Sequence, residues 1–323
     1  MDGRQAERCV ELSVVIPIYN NADCLDELVS RLCSTISASK VEVYEIIFVD
    51  DGSRDNSREV LRQFCKRDPR IKLIGLSRNF GHQFAITAGF DHSRGNAVLV
   101  MDADLQDPPE VIPEFLAKWR EGYDVVYGVR VARPGDSRFK RWTAALYYRL
   151  LRKLTHTAIA VDSGDFRLLS RRAVATFNRL RERSRFVRGM VSWIGYPQAP
   201  VHYKREPRRS GKSQYSMQRL IRLALDGIVS FSDTPLRIAT WIGFTGVGIC
   251  LIYLSYAVMR KLIWGVPVQG WASLVAIVLF IGSVQLTVLG VMGQYVGRIY
   301  EELKGRPLYI VQERVGLDDA EDH

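Results

Sequence analysis

"VLVMDADLQDPPE", residues 98–110, sets Asp102, Asp104, Gln106 and Asp107 directly behind an apolar run and then turns at Pro108 and Pro109. The run Ala97-Val98-Leu99-Val100-Met101 has the continuous apolar character of a strand buried on both faces. Asp102 and Asp104 then stand at a strand's carboxyl end. In a doubly wound sheet that is the edge where ligands bind, and side chains at i and i+2 project to the same side of an extended chain. Together the two can grip one cation. The same residues also suit an Asx-rich turn capping a helix that starts at the prolines. By itself the motif leaves both readings open.

The chain before this stretch alternates apolar strands with helical segments: "LSVVIPIYN", a helix from about 23 to 38, "YEIIFVDDGS", a helix from about 55 to 67, "IKLIGLSRN", a helix from about 81 to 94, then "AVLVMDAD". Such alternation implies an α/β, Rossmann-like domain with a mostly parallel sheet and right-handed crossovers. Three strands end in polar clusters, Tyr19-Asn20-Asn21, Asp50-Asp51-Gly52-Ser53 and Asp102-Ala103-Asp104, which should converge on one edge. No G-x-G-x-x-G or G-x-x-x-x-G-K-[ST] follows the first strand, so dinucleotide oxidoreductases and P-loop NTPases lose their main support. An acidic edge still suits a nucleoside diphosphate if Mg²⁺ or Mn²⁺ bridges carboxylate to pyrophosphate, because these cations take oxygen ligands and Mg²⁺ commonly combines one or two carboxylates with substrate phosphates. Asp50 can accept hydrogen bonds from a ribose or base, or cap the next helix; Asp50 and Asp51 together exceed what one cap requires.

Hydropathy divides the 323 residues. Ile238 to Val258 and Leu262 to Gly297 carry no charged residue, and each is long enough for a bilayer, which needs ~20 apolar residues. Two transmembrane helices are expected, roughly 237–259 and 270–296, with Gly265-Val266-Pro267 between them. The expected organisation is a catalytic domain over 1–203, a basic juxtamembrane loop and interfacial helix over 204–235, a membrane hairpin over 236–298 and a cytosolic C-terminal tail over 299–323. "MDGRQAERCVEL" has no apolar signal core, and Arg219, Arg222, Arg237, Arg298, Lys304 and Arg306 flank the hairpin against Arg260 and Lys261 within it. These features predict a multi-pass protein of the cytoplasmic membrane with its large domain in the cytosol. The five cysteines form no C-x-x-C or metal-type spacing, which fits a reducing compartment.

The net charge of +10 is concentrated in "RFKRW" (138–142), "YRLLRK" (148–153) and "YKREPRRSGKSQYSMQRLIR" (203–222). Basic residues interleaved with Trp, Tyr and Leu just before a membrane span read as helices lying on phospholipid headgroups rather than as a nucleic-acid surface. Over 139–154, Phe139, Trp142, Leu146, Leu150 and Leu154 recur at helical spacing. Glycines at 243, 246, 248, 282, 290, 293 and 297 permit close helix packing within the hairpin or between subunits.

In this order and spacing, "VVIPIYN", "VDDGSRDNS", "RNFGHQFAITAGF", "MDADLQDPPE", "VYGVR" and "DSGDFRLLSR" resemble the family 2 glycosyltransferases of GT-A fold. The membrane pair makes the chain resemble their polyprenyl-phosphate branch, bactoprenol glucosyltransferases in particular. That resemblance implies that Pro17, Tyr19, Asn20, Asp50, Asp51, Asp102, Ala103 and Gln106 hold a UDP-sugar, with Asp102 and Asp104 on Mg²⁺ or Mn²⁺. It places Arg130 near the acceptor phosphate. "RRSGKSQY" resembles the family's R-x-x-G-x-S-K-Y loop, so Arg208, Lys212 and Ser213 would close over the diphosphate. Asn21 stands where many relatives carry Glu, and Gln214 where many carry Lys. Asp165, with Asp162 three residues before it, occupies the region where relatives place an acid near the acceptor; base, sugar-orienting group and helix cap all remain open.

The implied reaction is inverting transfer of a hexose, glucose by overall pattern, from UDP-sugar to a polyprenyl phosphate such as undecaprenyl phosphate. Mannose, galactose or aminoarabinose are the alternative sugars, and a non-catalytic membrane scaffold is the alternative class. Bacterial relatives imply a homotetramer, and the lipid-linked product implies a flippase acting next.

Overall fold

The computed structural model describes residues 9–131, 163–183, 185–205, 234–264 and 270–317, which fall into two units. In the first unit the strands are β1 Leu12–Ile18, β2 Tyr44–Asp50, β3 Ile71–Leu76, β4 Ala97–Val100, β5 Val125–Arg130, β6 Ser163–Ser170, β7 Gln198–Tyr203 and β8 Val311–Val315. The helices between them are α1 Leu25–Ala38, α2 Ser57–Arg67, α3 His82–His92, α4 Ile112–Arg120, α5 Arg171–Arg179 and α6 Val187–Trp193.

One sheet of order β7-β5-β6-β4-β1-β2-β3-β8 results. β1 runs parallel to β2 and β4, and β2 to β3, as helical crossovers require. β6 is antiparallel to β4 and β5, and β8 is antiparallel to β3. β1 and β2 are buried at every residue because helices cover both faces. On one face Leu25, Leu28, Leu61 and Phe115, from α1, α2 and α4, pack over Val14, Ile16 and Phe48. On the other, Ile86, Val174, Phe177 and Met190, from α3, α5 and α6, cover Val15, Val49 and Val98. Gly89 lets α3 settle onto β1: a Cβ there would lie 2.1 Å from a Val15 methyl. That contact fixes the α3 N-terminus, which carries His82, against the sheet's carboxyl edge.

The helices begin slightly later than the sequence predicts, with 3-10 turns at Ala22–Cys24 and Pro109–Val111 leading into α1 and α4. A larger correction concerns residues 299–323, expected as a tail. Val311–Val315 is the eighth strand of the sheet, and residues from Arg306 onward belong to the first unit. The charges and alternating polarity of "VQERV" are those of an edge strand with one side solvated, a pattern easily taken for a tail.

The second unit contains α7 Thr234–Trp264 and α8 Trp271–Leu303, which contact each other. Two windows, Ala239–Arg260 and Ile277–Leu303, are long and apolar enough to cross a membrane, with mean hydropathy 1.8 and no burial within the protein. Trp241 and Leu286 are more than two-thirds exposed, so both helices are candidate membrane spans. Arg260 and Lys261 lie within α7 rather than in the connecting loop, and α8 runs past Gly297 to Leu303. The segment 139–154 and most of 204–235 lie outside the described residues.

Candidate active site

The loops that leave β1, β2 and β3 are tied to one another at the carboxyl edge. Pro17 is buried in β1 opposite Val49, and the chain then emerges at exposed Tyr19. Asn20 adopts a left-handed φ of 54°, a conformation that asparagine tolerates. Its side-chain oxygen accepts the Arg54 N–H at 2.8 Å, while its own N–H donates to Ser53 Oγ at 3.0 Å. The Asn21 N–H donates to Ser57 Oγ at 3.1 Å.

Asp50 is wholly buried at the end of β2. One oxygen accepts the Ser53 N–H at 3.1 Å and the other accepts Arg58 Nε at 2.6 Å. It does not cap α2, whose N-cap is Asn56. Asp51 accepts the backbone N–H groups of Phe80 and Gly81 at 2.7 and 2.9 Å, and burial pushes its carboxyl above the usual range despite those bonds. Gly52, at φ 69°, is pressed so close to the Arg78–Asn79 backbone that a Cβ would come within 2.6 Å of the Arg78 carbonyl carbon. Asp51 is therefore committed to joining two loops, which is a structural role beside the nucleotide contact expected of it.

Beyond β4 the charges are denser. Of the two sequence readings of Asp102-Ala103-Asp104, the Asx turn holds in part. Asp104, nearly buried, closes an Asx turn by accepting the Gln106 N–H at 3.2 Å, and Leu105 turns the chain at φ 56°. Neither aspartate caps a helix; the residues preceding the 3-10 turn and α4 make no side-chain cap. Asp102 keeps about a quarter of its side chain exposed, whereas Ala103 and Gln106 are buried. Burial, reinforced by the carboxylates of Asp165, Asp107 and Asp104, pushes Asp102 up to about 6 against the opposing pull of His82.

His82 Nε2 lies 3.5 Å from Asp102 Oδ1 and 3.3 Å from Asp165 Oδ2, so one ring bridges the two carboxylates. Burial alone lowers its basicity, but the Asp165 hydrogen bond and the charge of Asp102 outweigh it and the net shift is upward. Arg188, on the first turn of α6, donates Nε and Nη2 to the two oxygens of Asp165 at 2.8 and 3.1 Å. Desolvation opposes ionisation of Asp165, yet the His82 and Arg188 bonds hold its carboxyl well below the usual range. Arg167, two residues along β6, is buried, and its Nη2 donates to the Gly164 carbonyl.

Arg130, at the end of β5, donates Nε to Tyr203 Oη at 3.3 Å and lies 3.8 Å from Asp107, which also accepts the Tyr203 hydroxyl at 2.5 Å. Gly164 makes room for this guanidinium: a Cβ there would lie 2.5 Å from its Nη2. Arg205 approaches the same Asp107 at 3.7 Å.

The structure thus joins Asp102, Asp165 and His82 by direct contacts and sets Asp104 one turn away. Arg130 contacts Asp107, a near neighbour of Asp102 in the chain. Asp162, Arg208, Lys212 and Ser213 lie outside the described residues. Three participants were missed in the sequence. His82 sits inside the quoted "RNFGHQF", where the motif itself was the signal; Asp107 stood in the opening stretch; Arg188, in "FVRGM", has no local signature. Among the described residues no group of three or more His, Cys, Asp or Glu side chains is arranged to hold a metal. The carboxylates of Asp102 and Asp104 are hard oxygen donors, the type that Mg²⁺ and Mn²⁺ take.

The sequence profile of glycosyl transferase family 2 matches residues 13–177. An uncharacterized glycosyltransferase of Bacillus subtilis (strain 168) is 46% identical, over 97% of this chain and 96% of its own length. One from Synechocystis sp. is 45% identical, over 96% and 97%. The SfII prophage-derived bactoprenol glucosyl transferase of Shigella flexneri is 40% identical, over 94% and 98%. With a profile that spans the strands and loops just described, and relatives similar from end to end, the chain belongs to glycosyl transferase family 2.

Proposed function

We propose that this glycosyltransferase moves glucose from UDP-glucose to undecaprenyl phosphate at the cytosolic face of the cytoplasmic membrane, with inversion at the anomeric carbon. The observation that carries the proposal is the 40% identity to a bactoprenol glucosyl transferase over 304 residues, which include both apolar helices. A lipid acceptor gives those helices a purpose, since the polyprenyl tail stays in the bilayer while its phosphate must reach the sheet edge.

The donor nucleotide is assigned to the corner made by Pro17, Tyr19, Asn20 and Asp50, and its diphosphate to Asp102, Asp104 and Gln106. Asp102 and Asp104 would hold Mg²⁺ or Mn²⁺, as hard oxygen donors at the sheet edge of the kind these cations take. The cation would supply charge neutralisation at the departing diphosphate. Arg208 is assigned to the same diphosphate, and Lys212 and Ser213 to the loop that carries it.

A phosphate monoester has its second pKa near ~6, so the acceptor is largely ionised at neutral pH and needs no strong base. Positioning is the greater requirement. Arg130 draws the acceptor phosphate in. Asp165, paired through both oxygens with Arg188, is a poor proton acceptor and is suited to receiving hydrogen bonds from sugar hydroxyls. Asp162 is assigned a supporting place on the segment that leads into β6.

The test is radiolabelled transfer from UDP-glucose and other UDP-sugars to undecaprenyl phosphate by the purified full chain with Mg²⁺ or Mn²⁺, beside Asp104→Ala. Metal-dependent lipid labelling that the variant loses is the expected result. UDP binding with no lipid product from any donor would overturn the proposal.

A further inference from the structure

Arg58 stands on the first turn of α2, and its guanidinium binds three strands at once. Nε donates to Asp50 Oδ2 of β2 at 2.6 Å, Nη2 to the Leu76 carbonyl of β3 at 2.7 Å, and Nη1 to Gln312 Oε1 of β8 at 2.9 Å. The group lies against Gly75, where a Cβ would be 3.2 Å from the Arg58 Cζ. Asp50 is completely buried, and Arg58 is the charged partner of its carboxylate, so removing the guanidinium would leave that carboxylate buried without it. Its other oxygen holds Ser53, whose hydroxyl holds Asn20. Loosening Arg58 would therefore propagate to both loops of the corner assigned to the nucleotide.

The third strand in this arrangement belongs to chain that follows the second apolar helix. Register between β3 and β8 passes from Gly75–Glu313 to Leu76–Val311, stepping over Gln312. A bulge of this kind re-aims one side chain, and here that side chain reaches Arg58. The strand has its own anchorage: Arg62 grips both oxygens of Glu313 at 2.7 Å, and the Ser77 N–H donates to the Ile310 carbonyl at 3.0 Å. The Gln312 contact is therefore not needed merely to keep β8 in place.

We propose that Arg58 is a positioning residue of the donor pocket, and that through Gln312 it makes the nucleotide affinity of Asp50 depend on the strand that follows the membrane pair. The inference rests on the donor reading of Asp50 given above. The full chain in detergent is titrated with UDP and MnCl₂ by calorimetry, and donor and acceptor kinetics are measured on the same preparations. Arg58→Ala weakens UDP about tenfold or more, and Gln312→Ala about threefold, the scale of losing a guanidinium–carboxylate pair or one hydrogen bond from a guanidinium to a neutral amide.

Gly75→Ala retains every polar group but crowds the guanidinium, and it shifts UDP affinity in the same direction. In all three the donor KM rises while kcat and the acceptor KM stay within about twofold, a split that general damage to the fold would not produce. Arg62→Ala, which touches β8 without touching Asp50, leaves UDP affinity within about twofold. Wild-type affinity in Arg58→Ala and Gly75→Ala, or a loss confined to kcat, would overturn the inference. Failure of the wild-type chain to bind UDP would instead overturn the donor reading on which it stands.

Discussion

The two corners of the carboxyl edge are built on different principles. At the ends of β1 and β2, the oxygens of Asp50 and Asp51 are met by the chain's own donors: Ser53, Arg58, Phe80 and Gly81. At the end of β4 and the start of β6, burial and neighbouring carboxylates drive Asp102 up to about 6, while Arg188 and His82 hold Asp165 well below the usual range. Folding completes the first corner and leaves it as a shaped cradle. The second is a set of like charges near arginines and a histidine, the corner to which the proposed function assigns the cation and the diphosphate. The same sheet edge thus carries one corner whose carboxylates are met by internal donors and one whose carboxylates crowd each other.

The sharpest way to break this contrast is Asp104→Ala, which removes one of the two paired carboxylates. Lipid-linked product should fall roughly 10³-fold by radiolabel, far more than the ~1 kcal/mol of stability that loss of the Gln106 amide bond costs by scanning calorimetry. Arg188→Ala strikes the clamp itself and leaves the buried Asp165 carboxylate with His82 still beside it, at a cost of ~3 kcal/mol in chemical denaturation. Adding Asp165→Ala to that variant should restore much of the lost stability.

On the other corner, Asp51→Ala orphans the Phe80 and Gly81 amides and should cost ~1–3 kcal/mol, with transfer chemistry declining only as far as UDP affinity does. His82→Gln gives the smallest effect and the most diagnostic one. A histidine raised above 6.5 contributes stability that is complete below that pH and is lost as pH rises through its folded value. Wild-type melting temperature should therefore decline above about pH 6.5, and the variant should lose that decline. A variant that tracks the wild type through this range would show that His82 does not bridge the carboxylates.

Much of this was legible in the sequence because it is local. Continuous apolar runs such as "VVIPI" and "AVLVM" named strands buried on both faces, and the polar residues just after them named the edge. Asp102 and Asp104 were placed just behind a strand by the same local signal, although the strand ends at Val100 and Asp104 lies in a turn rather than in extended chain. What escaped was long-range. Arg188 meets Asp165 across 23 residues, and Arg58 meets Gln312 across 254, pairings that no periodicity encodes. β8 escaped for another reason. An edge strand carries the polar residues of a surface segment, and "VQERV" after two apolar helices has the composition of a tail. The helix boundaries differed because 3-10 turns precede α1 and α4, a distinction that apolar spacing does not encode.

The place of β8 has a practical consequence for anyone wishing to separate catalysis from the bilayer. The α/β unit is discontinuous, interrupted between β7 and β8 by the apolar hairpin. Cutting the chain ahead of α7 would strip β3 of its neighbour and leave a bare row of amides and carbonyls, an open template for aggregation. A water-soluble version would have to be made by excision and rejoining, retaining the segment from Arg306 onward and grafting it behind β7, rather than by truncation.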